Sequence, residues 1–330
     1  MDTIRPFRWH NWPLFQRLAK QGLSLDVETG LVRGTGALRS IWLTSLLGDV
    51  GGRPAYVLHC DGDVAIGQLR HTPGDTHAYI AFIAPEPERG DTELWESLLE
   101  MLTVVAGDRG ATNLIAEIEE GSPAYVGLRR VGFAIYARQE IWQREPQPVP
   151  GDTLTTVRPS RPEDAFNATV LYANVVPGLL RQIEPAPALS GRAFVLTEGD
   201  TLVGLITSQR GPQGSLLEAY LHPAAEHRTD EAIDGTLRHV DAAQRPVYFR
   251  VRRYQSWLGT RLADHGFTLL GQQAMMVKHT AARIQQHAYQ ALPAIEGGAR
   301  ASTPTPMVYG LSPPGGTTTT VLTGKGWRRH

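Results

Sequence analysis

The chain has 330 residues, of which 42% are hydrophobic and 20% are charged, and its formal net charge is −1. This length exceeds the usual size of one domain and the apolar content suffices for two cores, so we expect two domains of ordinary size. The near-zero charge argues against nucleic acid or an anionic membrane as a partner, and the single cysteine, Cys60, excludes an intramolecular disulfide and a cysteine-built zinc site.

The N-terminal sequence gives no sign of export or membrane insertion. Residues 1–6 lack the apolar stretch of a signal peptide, and no uncharged apolar run in the chain approaches the ~20 residues that cross a bilayer. The eleven histidines show no metal-ligand spacing. We therefore expect a soluble, cytoplasmic protein without a metal site.

An internal repeat organises the sequence. Residues 55–69 (AYVLHCDGDVAIGQL) and 192–206 (RAFVLTEGDTLVGLI) each show an apolar strand, an acidic turn with glycine and a second apolar strand, which predicts a β-hairpin in both copies. The hairpins are flanked by Arg-Pro near the start and Gly-Phe near the end, at Arg5, Arg158, Gly132 and Gly266. The first copy is longer because of extra residues in the region 22–53, where we expect a helical or loop excursion before the hairpin.

Each copy continues with the same elements after its hairpin: an apolar strand ending in proline, an acidic loop, an amphipathic helix, a strand, a helix leading into Gly-Phe, and a last strand that closes the unit. The predicted strands, first copy then second, are 78–85 and 216–223, 114–118 and 247–251, and 134–142 and 268–277. We expect domains at 1–146 and 157–283, joined by a proline-rich linker at 147–156. The remaining residues, 284–330, lack an apolar period and are predicted to be a disordered tail, passive or possessing a basic interaction surface.

This order of elements resembles that of the GNAT superfamily of N-acetyltransferases, over residues 4–143 and 157–279. The resemblance implies an α/β (α+β) fold of tandem GNAT-like domains, each with a mixed, mostly antiparallel central sheet flanked by helices. In that family, acyl-CoA lies in a V-shaped gap between two splayed parallel strands. Backbone N–H groups hold its pyrophosphate where a loop enters the helix after the proline-ended strand.

The loop pattern of the family, Arg/Gln-x-x-Gly-x-Gly/Ala, is only partly present. Arg89 and Arg228 keep the first position, but neither copy keeps a glycine at the family's positions, and acidic residues crowd both loops. Carboxylates stabilise the start of a helix but oppose pyrophosphate binding. By resemblance, the acyl-CoA contacts of the second copy would be Leu221, His222, Arg228, Thr229 and Ala232.

Glu218 is the only acid on the proline-ended strand of either copy, and Ile80 is its counterpart in the first copy. By resemblance it would be the general base that takes a proton from the acceptor amine, with a pKa raised by burial. The alternative is a strand residue that faces solvent or pairs with an arginine. Leu128 and Leu262 replace the tyrosine that the family often places four residues before Gly-Phe.

The strand 247–251 of the second copy has one cationic, aromatic face. Arg250 and Arg252 share it with Tyr248, and Tyr254 follows directly. Arg250, Arg252 and Tyr254 would suit an anionic or aromatic substrate or the phosphates of CoA. The alternative is the polar face of a half-buried strand. Glu117 and Glu119 form a weaker candidate pair on the first copy.

Two functions follow from the resemblance. The first is an N-acyltransferase that uses acetyl-CoA or another acyl-CoA as cosubstrate and a small-molecule or peptide amine as acceptor. Because the second copy alone has Glu218 and the arginine face, it would be the catalytic half and the first copy would be structural. The second is a catalytically silent GNAT-like scaffold that binds a metabolite or a protein partner, which the loss of the loop glycines and of the tyrosine favours.

Overall fold

The computed structural model describes residues 3–34, 52–60, 62–87, 93–149, 155–189, 192–240 and 242–280. All of them belong to one compact unit that spans residues 1–285. The loop at 88–92 with Arg89, the middle of the expected linker and the predicted tail from residue 284 lie outside the described residues. We refer to the described residues up to 149 as the first half and to those from 155 onward as the second half.

The first half contains, in chain order, the following elements: β1 (Thr3–Pro6), α1 (Trp12–Leu18), β2 (Ala55–Cys60), β3 (Asp63–Arg70), β4 (His77–Ala84), α2 (Glu93–Asp108), β5 (Asn113–Ile118), α3 (Pro123–Arg130) and β6 (Ala134–Arg144). Apolar spacing forms α2, which buries Trp95, Leu98 and Leu102. Ser122 starts α3, because its hydroxyl accepts the N–H of Tyr125.

The second half repeats this order with a further helix, α5, before its hairpin: β7 (Arg158–Pro159), α4 (Ala165–Val175), α5 (Gly178–Ile183), β8 (Ala193–Glu198), β9 (Thr201–Gly211), β10 (Gly214–Leu221), α6 (Thr229–His239), β11 (Val247–Arg252), α7 (Leu258–Asp264) and β12 (Thr268–His279). Both predicted hairpins are present, as β2–β3 and β8–β9. The proline-ended strands are β4 and β10.

One twelve-stranded sheet runs through both halves, in the order β1-β2-β3-β4-β5-β12-β6-β11-β10-β9-β8-β7. All neighbouring strands are antiparallel except two pairs, β4–β5 and β10–β11, which are parallel. The helices α2 and α3 cover one apolar core, and α6 and α7 cover another on the second half. The predicted fold class, a mixed and mostly antiparallel sheet flanked by helices, is therefore confirmed.

The two halves exchange their last strands. β12 of the second half lies between β5 and β6, and β6 of the first half pairs with β11. The prediction that each last strand closes its own unit is wrong. The period-two pattern that predicts a strand sets which face is buried, but it does not determine which neighbour completes the hydrogen bonds.

A pseudo-twofold axis passes between β6 and β12. Gln139 lies directly opposite Gln273 in this antiparallel pair, and the side chain of Gln139 donates a hydrogen bond to Gln273 at 3.0 Å. The register shifts once on each side of this point, which leaves Tyr136 unpaired in β6 and Leu270 unpaired in β12. The repeat found in the sequence is thus also a symmetry of the pairing.

Candidate functional site

Each half contains two parallel strands that pair at one end and separate at the other. The pairing of β4 with β5 ends at Tyr79 and Ile115, although both strands continue. The pairing of β10 with β11 ends at Glu218 and Arg250, and again both strands continue. The molecule therefore has two V-shaped gaps, at the places where the resemblance implies acyl-CoA sites.

The gap of the first half is filled by the chain itself, through residues 21–27, which we call the plug. Leu23 and Ile83 exchange both backbone hydrogen bonds, at 2.8 and 2.9 Å, so the plug pairs with β4. On the other side, the N–H of Glu117 donates to the carbonyl of Leu25 at 2.8 Å. The plug thus uses hydrogen-bonding groups of both separated strands.

The gap of the second half lacks such an insertion among the described residues, where no backbone hydrogen bond joins a further segment to the separated ends of β10 and β11. The presence of a plug in the first gap alone agrees with the sequence, because the plug lies at the start of the region in which the first copy carries extra residues. This asymmetry distinguishes the two halves more clearly than any loop motif does.

Glu218 lies at the point where β10 and β11 separate, and two arginines hold its carboxylate. Arg252 Nε donates to Oε1 at 2.9 Å, and Arg250 lies 3.6 Å from Oε2. Burial alone would raise the pKa of Glu218, but these guanidinium groups outweigh it and keep the pKa below its ordinary value. The expectation of a raised pKa is therefore wrong, and the side chain takes the arginine-paired alternative.

Arg250 and Arg252 join the two halves instead of forming an open cationic face. Arg250 is within 3.1 Å of Glu117 in the first half, and Arg252 donates to Gln139 at 3.1 Å and to Glu184 at 3.0 Å. Both arginines are buried. Burial raises the pKa of Glu117 although Arg250 opposes the shift.

The counterpart of Glu218 in the first half is Tyr79, not Ile80. A β-bulge between β3 and β4 leaves Ala81 unpaired, which shifts the faces of β4 by one residue. Ile80 consequently lies in the core under α2, whereas the Tyr79 ring stacks on the guanidinium of Arg70 at 4.0 Å.

The residues expected to bind acyl-CoA lie around the start of α6. Leu221 ends β10, and Nδ1 of His222 accepts the N–H of Ala224 at the start of a 3-10 turn, Pro223–Arg228. Thr229 and Ala232 are buried in the first turns of α6.

The guanidinium of Arg228 already has hydrogen-bond acceptors within the chain. Its guanidinium donates to the carbonyl of Thr197 at 2.8 Å, to the carboxylate of Glu231 at 2.9 Å and to the hydroxyl of Thr156. Glu231, which stands at a glycine position of the family pattern, also accepts the backbone N–H of Thr156. The acid at the helix start is therefore part of a closed set of ion pairs and hydrogen bonds.

A cavity of about 350 Å³ lies between the halves beside Glu218. Six of its polar lining residues are Tyr79, Tyr172, Glu184, Glu218, Tyr220 and Arg252. Tyr254 packs against the hydrophobic cluster that contains Tyr172 and Tyr220. Burial raises the pKa of the Tyr254 hydroxyl well above its ordinary value. The sequence predicts Glu218, Arg252 and Tyr254 in this region, but it gives no signal for Glu184, which follows α5 in an irregular segment.

Two other site types find no support in the part of the chain that the structure describes. No group of three or more His, Cys, Asp or Glu side chains there could hold a metal ion. No helix within the described ranges is long and apolar enough to cross a membrane.

The strand order and the paired gaps resemble the fold of tandem GNAT proteins, and comparison with solved structures shows the same fold. No family model and no curated protein matches the chain. A GCN5-related N-acetyltransferase from Sphaerobacter thermophilus is 14% identical, with 84% of this chain and 95% of that chain covered and a TM-score of 0.53. A tandem GNAT protein from the clavulanic acid biosynthesis pathway is 15% identical, with 84% and 98% covered and a TM-score of 0.50. A Drosophila protein is 16% identical, with 86% and 100% covered and a TM-score of 0.53. These similarities show the shared fold.

Proposed function

We propose that the second half binds an acyl-CoA thioester in the gap between β10 and β11 and transfers its acyl group to an amine. The observation that carries this proposal is the difference between the two gaps. The plug occupies the first, whereas the described residues leave the backbone of the second without such a partner. Free backbone groups on separated strands can hydrogen-bond an extended acyl-pantetheine chain.

The acceptor amine would enter from the cavity beside Glu218. Because the pKa of Glu218 lies below its ordinary value, the carboxylate is ionised at neutral pH and can accept a proton or orient the amine. The amine would attack the thioester carbonyl directly, with CoA as the leaving group and no covalent enzyme intermediate. Acetyl-CoA or a longer acyl-CoA is the cosubstrate, and a small-molecule or peptide amine is the acceptor.

A second candidate function is a silent scaffold that binds a metabolite or a protein partner. The state of Arg228 favours it, since the one loop residue retained from the family pattern is already bonded to Thr197, Glu231 and Thr156. A lowered pKa also makes Glu218 a weaker base than the family role requires.

Thermal unfolding with acetyl-CoA tests the proposal. A ligand that binds only the folded state raises the thermal midpoint according to its concentration relative to Kd. We expect millimolar acetyl-CoA to raise the midpoint of the full chain, and CoA release to follow when an amine panel is added. An unchanged midpoint would contradict the acyltransferase proposal. A raised midpoint without CoA release for any amine would favour the scaffold.

A further inference from the structure

The outermost strand of the first half, β1, borders a groove of about 370 Å³ that the proposed acyl transfer does not use. Among the described residues, those that line it carry guanidinium, imidazole, amide or apolar side chains and no carboxylate: Arg5, Pro6, Arg8, His10, Asn11, Val57 and His59. The indole of Trp9, the next residue after Arg8, is 67% exposed. The groove lies three strands away from β4 and therefore apart from both gaps.

The equivalent segment of the second half, residues 158–164, contains an acid where the first half has none. Arg158 donates to both carboxylate oxygens of Asp164, at 2.7 and 2.8 Å. The backbone N–H of Arg161 donates to the same carboxylate at 2.7 Å. The carboxylate thereby neutralises Arg158 and closes the 3-10 turn Pro162–Asp164.

The first half keeps the backbone of this motif but not its negative charge. Arg8 corresponds to Arg161 and has nearly the same conformation, with φ −123° and ψ 162° against −117° and 161°. Asn11 stands where the second half has Asp164, and its Oδ1 accepts the N–H of Arg8 at 3.0 Å. The side-chain NH2 group of Asn11 is a hydrogen-bond donor, as is the guanidinium of Arg5.

Arg5 is thus the arginine whose carboxylate partner is missing. Within the described residues its guanidinium makes no hydrogen bond or ion pair, whereas its equivalent, Arg158, has two charged hydrogen bonds. Arg8, His10 and His59 add further donors to the same groove. A surface that presents several donors and no acidic side chain is complementary to an oxyanion.

We propose that this groove binds the phosphate group of a small phosphorylated ligand, at the place that the Asp164 carboxylate occupies in the second half. The two guanidinium groups carry two positive charges, which a single carboxylate does not balance, and this favours a dianionic phosphate over a carboxylate. The exposed indole of Trp9 supplies apolar surface for the rest of such a ligand.

Isothermal titration of the full chain with inorganic phosphate and with acetate tests this site. We expect phosphate to bind more tightly than acetate. Arg5→Gln, which removes a charged donor, should weaken phosphate binding about tenfold. Asn11→Asp should do the same while keeping the fold, because it recreates the internal ion pair of the second half.

Arg158→Gln is the matched control, since it removes the equivalent arginine that already has a carboxylate, and it should leave phosphate binding unchanged. Absence of phosphate binding would overturn the proposal, and so would unchanged binding in Asn11→Asp. Equal binding of acetate and phosphate would reject the phosphate assignment. None of these results depends on acyl-CoA, so this site and the acyl transfer succeed or fail separately.

Discussion

At the scale of single residues, the contact between the halves is a chain of alternating buried charges. Glu117, Arg250, Glu218, Arg252 and Glu184 follow one another, and each arginine touches two carboxylates. Each charge offsets the desolvation of its neighbours, so removal of one carboxylate leaves a buried arginine with one carboxylate partner instead of two. Breaking a buried ion pair costs up to about 3–5 kcal/mol of folding free energy.

Glu218→Gln and Glu117→Gln form a matched pair, because each removes one carboxylate from Arg250. We expect both variants to unfold at lower urea concentration than the native chain. Of these two glutamates, Glu218 lines the cavity from which the acceptor amine would enter, and Glu117 does not. Only Glu218→Gln should therefore also lower the rate of CoA release, by roughly 10²–10⁴-fold for loss of a general base. Equal losses of turnover in the two folded variants would show that Glu218 acts through stability alone.

Asp26 predicts how stability depends on pH. Its buried carboxylate accepts two hydrogen bonds from Arg70, each at 2.8 Å. Burial opposes ionisation, but Arg70 lowers the pKa of Asp26 to about 2. Because this pKa lies below the ordinary value of 3.8, the ionised carboxylate stabilises the fold above about pH 4, and this contribution is lost as the pH falls toward 2.

Asp26→Asn should therefore destabilise the chain at pH 7, and the difference from the native chain should shrink by on the order of 1 kcal/mol between pH 7 and pH 3. Urea unfolding of both chains at pH 7, 5 and 3 measures this difference. A difference that stays constant over this range would contradict the assignment to Asp26. Asp63→Asn, at an exposed strand end, is a control that should show no such pH dependence.

At the scale of elements, the exchanged strands make each half incomplete without the other. β5 has its outer partner in β12, and β11 has its outer partner in β6. We expect residues 1–149 and 150–283, produced together as two chains, to copurify as a stable complex. Each chain produced alone should aggregate, because it exposes an unpaired strand edge.

Separate production followed by mixing is the control for this experiment. Soluble, monomeric and cooperatively folding single halves would contradict the exchange, because β6 would then have to close the sheet of its own half. Size-exclusion chromatography with light scattering distinguishes the two results.

The sequence predicts elements better than it predicts their neighbours. The hairpins and the strands before Pro85 and Pro223 follow from apolar periods and turn residues that act within a few positions. The exchange of β6 and β12, the plug and the bulge at Ala81 depend on pairing between distant segments, about which a local period says nothing. For the same reason Glu218 could be chosen as a candidate, but its partners and the lowered pKa could not be derived.

At the scale of the whole molecule, the described residues end at Thr280, and they contain the twelve strands of the sheet and the two apolar cores under α2–α3 and α6–α7. We expect a chain truncated after Arg283 to unfold within a few degrees of the full chain, since changes outside the packed core contribute roughly 0.5 kcal/mol or less. Differential scanning calorimetry of both chains measures this. A large loss of stability on truncation would show that the removed residues pack on the fold.

The strand exchange also imposes a delay during synthesis between the completion of β5 and the appearance of its partner, β12. β5 is complete once residue 118 has been made, but its partner β12 does not exist until residue 279 has been added. At about 5–20 residues per second, the ribosome needs on the order of ten seconds for that stretch. During this interval β6 is the nearest strand that could occupy the edge of β5, so the nascent first half must either keep this edge open or release β6 from it when β12 emerges.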